Sequence, residues 1–138
     1  PILMSVSKSV VSFLVGVAVD EGRIDSLERP VDSWVPALKG TGYEGVRLKD
    51  VLQMSSGIRF NEDYADLTSD IARLAMAFVN GSVDDFLLRL ERERPPGTHN
   101  HYVSADTQVV ALVLEAATGE QLADLTQSRL WSRLGAEH

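Results

Sequence analysis

Ser5-Val6-Ser7-Lys8 sets a hydroxyl and an amine three residues apart, in the pattern S-x-x-K. On a helix, residues three apart share a face, so the Lys8 amine can reach the Ser5 hydroxyl. A serine hydroxyl is a weak nucleophile and needs an adjacent base. An amine can act as that base only while it is neutral part of the time, and desolvation beside apolar side chains disfavours the charged form. A serine at a helix N-terminus also meets backbone N–H groups and a dipole that favour developing negative charge. Spacing alone leaves a second reading open and weights it more heavily: Ser5 as a helix cap with Lys8 on a solvated face. Context shifts the balance toward chemistry, because Lys8 stands directly before Val10 to Val19, the most apolar run of the chain. Ser7 and Ser9 are nearby hydroxyls, but neither has a lysine three residues on.

Tyr102, in His101-Tyr102-Val103-Ser104 after Pro95-Pro96-Gly97-Thr98, is the second candidate. A phenol beside a cationic lysine gives up or shares its proton more readily, and so can act as general base and acid. Ser104, two residues on, can complete a hydrogen-bond chain. Taken without Ser5 and Lys8, Tyr102 reads as a loop tyrosine that packs its ring and leaves its hydroxyl in water. His99 and His101 flank the Pro/Gly turn without a third ligand of obvious geometry, so no metal site is predicted there. They are read as loop structure or the rim of a pocket. Tyr64, with Asp63 and Asp66, lies in an acidic loop whose two readings are a substrate-facing segment and a solvated surface. Met4, Met54 and Met76 are read as core filler.

The elements that must carry these residues are helical. A first helix is predicted over about residues 5–21, apolar on nearly every face and therefore expected in the middle of a protein. Residues 25–36, with two prolines, predict turns and one-turn helices. A short helix is predicted over 48–54, closed by Ser55-Ser56-Gly57, and another over 69–79, stopped at Asn80-Gly81. Ser82-Val83-Asp84-Asp85 resembles a capping box opening a helix to about residue 91. Ser104 is a candidate N-cap for a helix over 105–118 that Gly119 ends, and a last helix is predicted over 120–134. No run of alternating strand residues is present; residues 99–103 suggest a short extended segment at most. The predicted class is mainly α, as one helical domain over residues 1–138.

Composition narrows the function classes. A chain of 138 residues with 44% hydrophobic content can bury a core. Its formal charge of −7, with acids scattered rather than blocked, offers no basic stripe for nucleic acid or an anionic membrane. The absence of cysteine excludes disulfides and thiolate zinc sites while leaving the compartment open. The longest apolar run is too short to span a bilayer, and the first residues carry no basic segment of a signal peptide. Cytoplasm and periplasm of a bacterium both remain open. The first helix has little sequence before it to cover it, so the chain is expected to be part of a longer protein. The same helix is expected to contact neighbouring chains along Val10 to Val19, as in a homo-oligomer.

Ser5-Val6-Ser7-Lys8, Met54-Ser55-Ser56-Gly57-Ile58, Pro96-Gly97-Thr98 and Tyr102-Val103-Ser104 occur in the order of a known family. The sequence resembles the class C β-lactamase-like serine hydrolases, a group with penicillin-binding proteins, DD-peptidases, esterases and 6-aminohexanoate-dimer hydrolases. The resemblance runs over essentially the whole chain, to Leu130-Trp131 and Leu134-Gly135. The wording of Asp50 to Gly57 with Glu62-Asp63-Tyr64 is closest to the dimer-hydrolase branch. It implies Ser5 as acylated nucleophile, Lys8 as its partner and Tyr102 as proton carrier, with no cofactor. Ser104 stands in the family's asparagine place, a variant that suits the esterase and dimer-hydrolase branches, and Asn100 stands where an aromatic is expected. Tyr64 matches a tyrosine that closes over substrate. The implied substrate is a small amide, ester or β-lactam.

The family's third motif, Lys-Thr-Gly or His-x-Gly on a strand, is absent, as is its antiparallel sheet. The resemblance therefore implies the helical region of an α+β fold, with half an oxyanion hole at Ser5. Loss of such a donor costs about a hundredfold or more in rate. The rival expectations are a penicillin-binding sensor and a catalytically incomplete interaction domain.

Overall fold

The computed structural model describes residues 2–61, 66, 68–98 and 103–131, with side chains described from residue 8 to residue 129 of that set. Among the described residues the architecture is helical, and β pairing is limited to two isolated antiparallel bridges, Pro30 with Arg47 and Ile58 with Arg92. The helices are α1 (Ile2–Asp20), α2 (Leu48–Leu52), α3 (Asp70–Asn80), α4 (Val83–Leu88), α5 (Ser104–Thr118) and α6 (Leu122–Leu125). Two 3-10 turns, Val31–Ser33 and Pro36–Leu38, fall in the proline-rich stretch, and α6 runs on into a π-helical turn over Thr126–Trp131. No helix among the described residues is long and apolar enough to cross a membrane.

One contiguous core runs from Val11 to Leu125. Its axis is α5, which buries Val109, Val110, Val113 and Leu114 on one side and Ser104 to Thr107 at its head. Helix α1 lies against it through Val11, Leu14, Val15 and Ala18, spaced three and four apart. Val11, Leu14 and Val15 each contribute about 1.5–3 kcal/mol by leaving water, and Ala18 less. The far side of α1 stays open: Phe13 and Val19 are exposed, together with Ser12 and Gly16. The place in the middle that its all-round apolar sequence predicts for α1 is taken by α5, which packs on α1, α2 and α6.

Helix ends follow local chemistry, with three departures from the sequence reading. Helix α1 begins at Ile2, so Ser5 lies inside its first turns rather than at its cap. Ser82 stands at the N-cap position of α4 but makes no side-chain cap, its hydroxyl being turned to donate to the Asn80 side-chain oxygen two residues back. The N-cap of α5 is Val103, and Ser104 is its first helical residue. Other signals hold. The Ser69 hydroxyl caps α3 by accepting from the Ala72 N–H, and Gly81 and Gly119 close α3 and α5 in left-handed conformation.

The end of α2 is unusual. Met54, with φ of 57°, takes the left-handed place that glycine commonly fills, while the Ser55 N–H reaches the Asp50 carbonyl at 2.7 Å and the Met54 N–H that of Val51 at 3.2 Å. This double bond pattern is a Schellman motif, made here at a steric penalty of about 1 kcal/mol.

Candidate active site

Helix α1 carries Ser5 and Lys8 on one face by its own periodicity. Lys8 is half-buried and, with Val11 and Ser12, forms one wall of a small cavity. The other walls are Val51 and Leu52 of α2, the strained Met54, and Asp106, Thr107 and Val110 of α5. The cavity holds ≈ 10 Å³, room for about one water molecule. The Lys8 face of α1 therefore meets the segment after α2 and the first turn of α5, two regions that the sequence singled out separately; the Ser5 side chain lies outside those described.

Beneath this junction is a buried polar network. Asp106 is fully buried, and its carboxylate accepts from the Tyr43 hydroxyl at 2.9 Å and from the Ser56 hydroxyl at 2.9 Å to either oxygen. Tyr43 is itself fully enclosed. Burial, and after it the Asp106 charge and hydrogen bond, push the Tyr43 phenol well above the usual tyrosine range, which keeps it a donor. No described side-chain nitrogen or oxygen that is buried lacks a hydrogen-bond partner.

A second network straps the Pro95-Pro96-Gly97 turn to α2. Arg47 forks onto both oxygens of the buried Asp50, at 3.0 and 2.9 Å, and also reaches Glu28 at 2.6 Å. Gly97 donates its N–H to the Ser55 carbonyl at 2.7 Å, and a Cβ there would stand 3.0 Å from an Asp50 oxygen. Gly57 is held the same way. Its carbonyl accepts from Glu93 and Arg94, its φ is +79°, and a Cβ would collide with the Arg94 carbonyl. Gly57 is there because backbone passes backbone at that point, and Gly97 because the Arg47–Asp50 pair packs against it.

Tyr102 and Tyr64 lie outside the described residues, as do His99, Asn100, His101 and Asp63. Ser104 is described and is buried at the head of α5. Asp66 folds onto Thr68, accepting from its N–H at 2.8 Å and its hydroxyl at 2.7 Å. Among the described residues no group of His, Asp or Glu has the arrangement of a metal site. A wider cleft, ≈ 710 Å³, opens between Arg59 to Asn61, the start of α3 and the residues after α4, and shares no lining residue with the Lys8 cavity.

Sequence reasoning passed over Asp106, Tyr43 and Ser56. A signal was present: Asp106 is an acid set among Ala105, Val109 and Val110, on a helix too apolar to face water. A carboxylate in such a run requires partners.

Residues 2–138 match the protein-family model described as Beta-lactamase. The 6-aminohexanoate-dimer hydrolase of Paenarthrobacter ureafaciens is 35% identical over 144 residues, which cover 99% of this chain and 36% of that protein. The chain thus spans little more than a third of the curated relative's length. Among solved structures, a Bacillus anthracis protein with the provisional name 6-aminohexanoate-dimer hydrolase superposes with a TM-score of 0.84 at 24% identity, over 97% of this chain and 38% of that one. A D-stereospecific amidohydrolase from a Streptomyces species gives 0.74 at 23% identity, over 95% and 41%. The two superpositions speak for the fold: the helices described above recur as one part of larger β-lactamase-like structures.

Proposed function

The chain belongs to the beta-lactamase family, and on that premise we propose that it carries the nucleophile of a serine hydrolase acting on an amide or ester bond. In this reading the Ser5 hydroxyl attacks the substrate carbonyl while Lys8 takes its proton. Tyr102, with Ser104 beside it in the chain, passes a proton to the leaving amine or alcohol as the carbonyl–heteroatom bond breaks. Water then attacks the Ser5 acyl ester, which releases the acid and restores the serine hydroxyl. Tyr64 contacts substrate. No metal or organic cofactor enters the scheme, and residues 1–138 act in it as one helical unit.

The observation that carries the reading is the position of Lys8. It is half-buried in a cavity walled by α2 and by the head of α5. A lysine on a merely solvated face would not stand between three helices. The segment holding Tyr102 leads directly into that head of α5, and Gly97 on its other side is tied to Ser55. The 35% identity to a 6-aminohexanoate-dimer hydrolase supports a short linear amide as the substrate class.

A second reading is a sensor that is acylated without turnover, or a domain that interacts only. Incubation with a p-nitrophenyl ester and with a fluorescent penicillin, followed by intact mass, separates the two. Continuous release of nitrophenol supports the hydrolase. A stable penicilloyl adduct without release supports the sensor, and absence of both leaves the interaction domain.

A further inference from the structure

Stability alone does not call for a charge at Asp106. A buried carboxylate is costly to desolvate, and well-packed apolar side chains commonly hold a helix in place as well or better. Yet this carboxylate is fully enclosed in the first turn of α5, and it collects donors from two distant parts of the chain, Tyr43 before α2 and Ser56 after it. Its two oxygens fix both the depth and the rotation of that turn, which non-directional apolar contacts do not. The Ser56 hydroxyl is also the atom toward which the Ile58 N–H points at 3.4 Å, so the Ser55-Ser56-Gly57 turn is held from the same centre. Asp106 lines the cavity that Lys8 lines.

We propose that Asp106 is a positioning residue for acylation. Its carboxylate, held by Tyr43 and Ser56, sets the head of α5, with Ser104 in its first turn, against the Lys8 face of α1. Asp106 touches neither substrate nor the reacting atoms in this account. The proposal rests on the reading of Ser5 and Lys8 as nucleophile and base.

Two kinds of change separate positioning from simple support of the fold. Asp106→Ala removes both acceptors, whereas Asp106→Asn keeps one acceptor in the same shape. Misplacement of a catalytic group by about 1 Å costs on the order of a hundredfold in rate. The test uses the protein as its open reading frame encodes it, labelled with a fluorophosphonate and followed by mass at several probe concentrations. The saturating rate constant and the half-saturating concentration are read separately from the amplitude, which reports only the folded fraction.

Asp106→Ala is expected to lower the saturating rate by about tenfold to a hundredfold, with half-saturation changed by less than about threefold. Asp106→Asn is expected to recover most of that rate. If Asp106→Ala does not fold, Tyr43→Phe and Ser56→Ala each remove one donor and should lower the rate by a few-fold with the same split. An unchanged rate at labelled sites, whatever happens to amplitude or melting temperature, overturns the proposal, as does a loss confined to half-saturation. A wild-type protein that takes no label at Ser5 is a different outcome, which sinks the nucleophile and the positioning role together.

Discussion

The α2–α5 side of the molecule and the α3–α4 side are held together by different physics. Around α2 and α5 the buried groups include Asp50, Ser55, Ser56, Ser104, Asp106 and Thr107, tied into networks with Tyr43 and Arg47. Around α3 and α4 the attachment is an apolar stripe of Ile71, Leu74, Ala77 and Leu87, with Phe60 and Phe86 meeting edge to face at 6.4 Å. Met76, Phe78 and Val79 face outward there. Hydrogen bonds are directional and fix positions, while apolar contact is non-directional and tolerates repacking. The pinned side holds Lys8, and the looser side borders the wide cleft. The division teaches that buried polar groups, which specify geometry most tightly, gather on the side where the chemistry is proposed to occur.

The comparison breaks most visibly at the two kinds of charged residue. Lys8→Ala, on the pinned side, is expected to lower the acylation rate by about a thousandfold or more, while Arg89→Ala, in the cleft, should change it by a few-fold at most. Single-turnover labelling of both variants measures the ratio. Equal losses would erase the distinction between the two sides.

Glycines give the next largest effect. Gly57→Ala puts a side chain into the Arg94 carbonyl at a φ of +79°, whereas Gly81→Ala, at +78°, meets open space. The backbone penalty of about 1 kcal/mol is common to both, and the collision should carry Gly57→Ala beyond about 3 kcal/mol in a urea melt. Within α3 itself, Leu74→Ala should cost about 2–5 kcal/mol, and Met76→Ala, two residues on and exposed, within about 0.5 kcal/mol of nothing. A large loss at Met76 would show that this face is covered.

The smallest effect is in pH. Burial pushes the Asp32 carboxyl up, but the Gly45 N–H and the Lys39 ammonium outweigh it and hold the group below the usual carboxylate range. A carboxylate depressed in the folded state stabilises fully above its unfolded value, and that contribution is lost as pH falls through the folded value. Thermal melts of wild type and Asp32→Asn should therefore differ at neutral pH and converge in acid. A difference that grows on acidification contradicts the assignment.

Much of this could be read from the chain, and the exceptions share a cause. Gly81, Gly119 and Ser69 act locally, so their roles as helix stops and cap are visible in sequence. The apolar spacing of α1 and α5 likewise predicted helices, though not which of them is enclosed. That choice depends on packing partners far along the chain. Ser104 misled as a cap because α5 begins one residue sooner, and Ser82 because its hydroxyl turns to the Asn80 side chain instead of the helix N–H groups. Asp106 was missed because its meaning lies in Tyr43 and Ser56, 63 and 50 residues away. At the site, the S-x-x-K spacing was legible and so was its ordered company of motifs. The cavity that joins Lys8 to α2 and α5 required the fold.

The central claim, that Ser5 is a nucleophile served by Lys8, is tested most directly by mapping the modified residue. After fluorophosphonate treatment of the encoded protein, peptide mass analysis should place the adduct on Ser5 in wild type. It should find none in Ser5→Ala or in a folded Lys8→Ala. An adduct on Ser7, Ser9 or Ser56, or undiminished labelling of Ser5 without Lys8, would contradict the account.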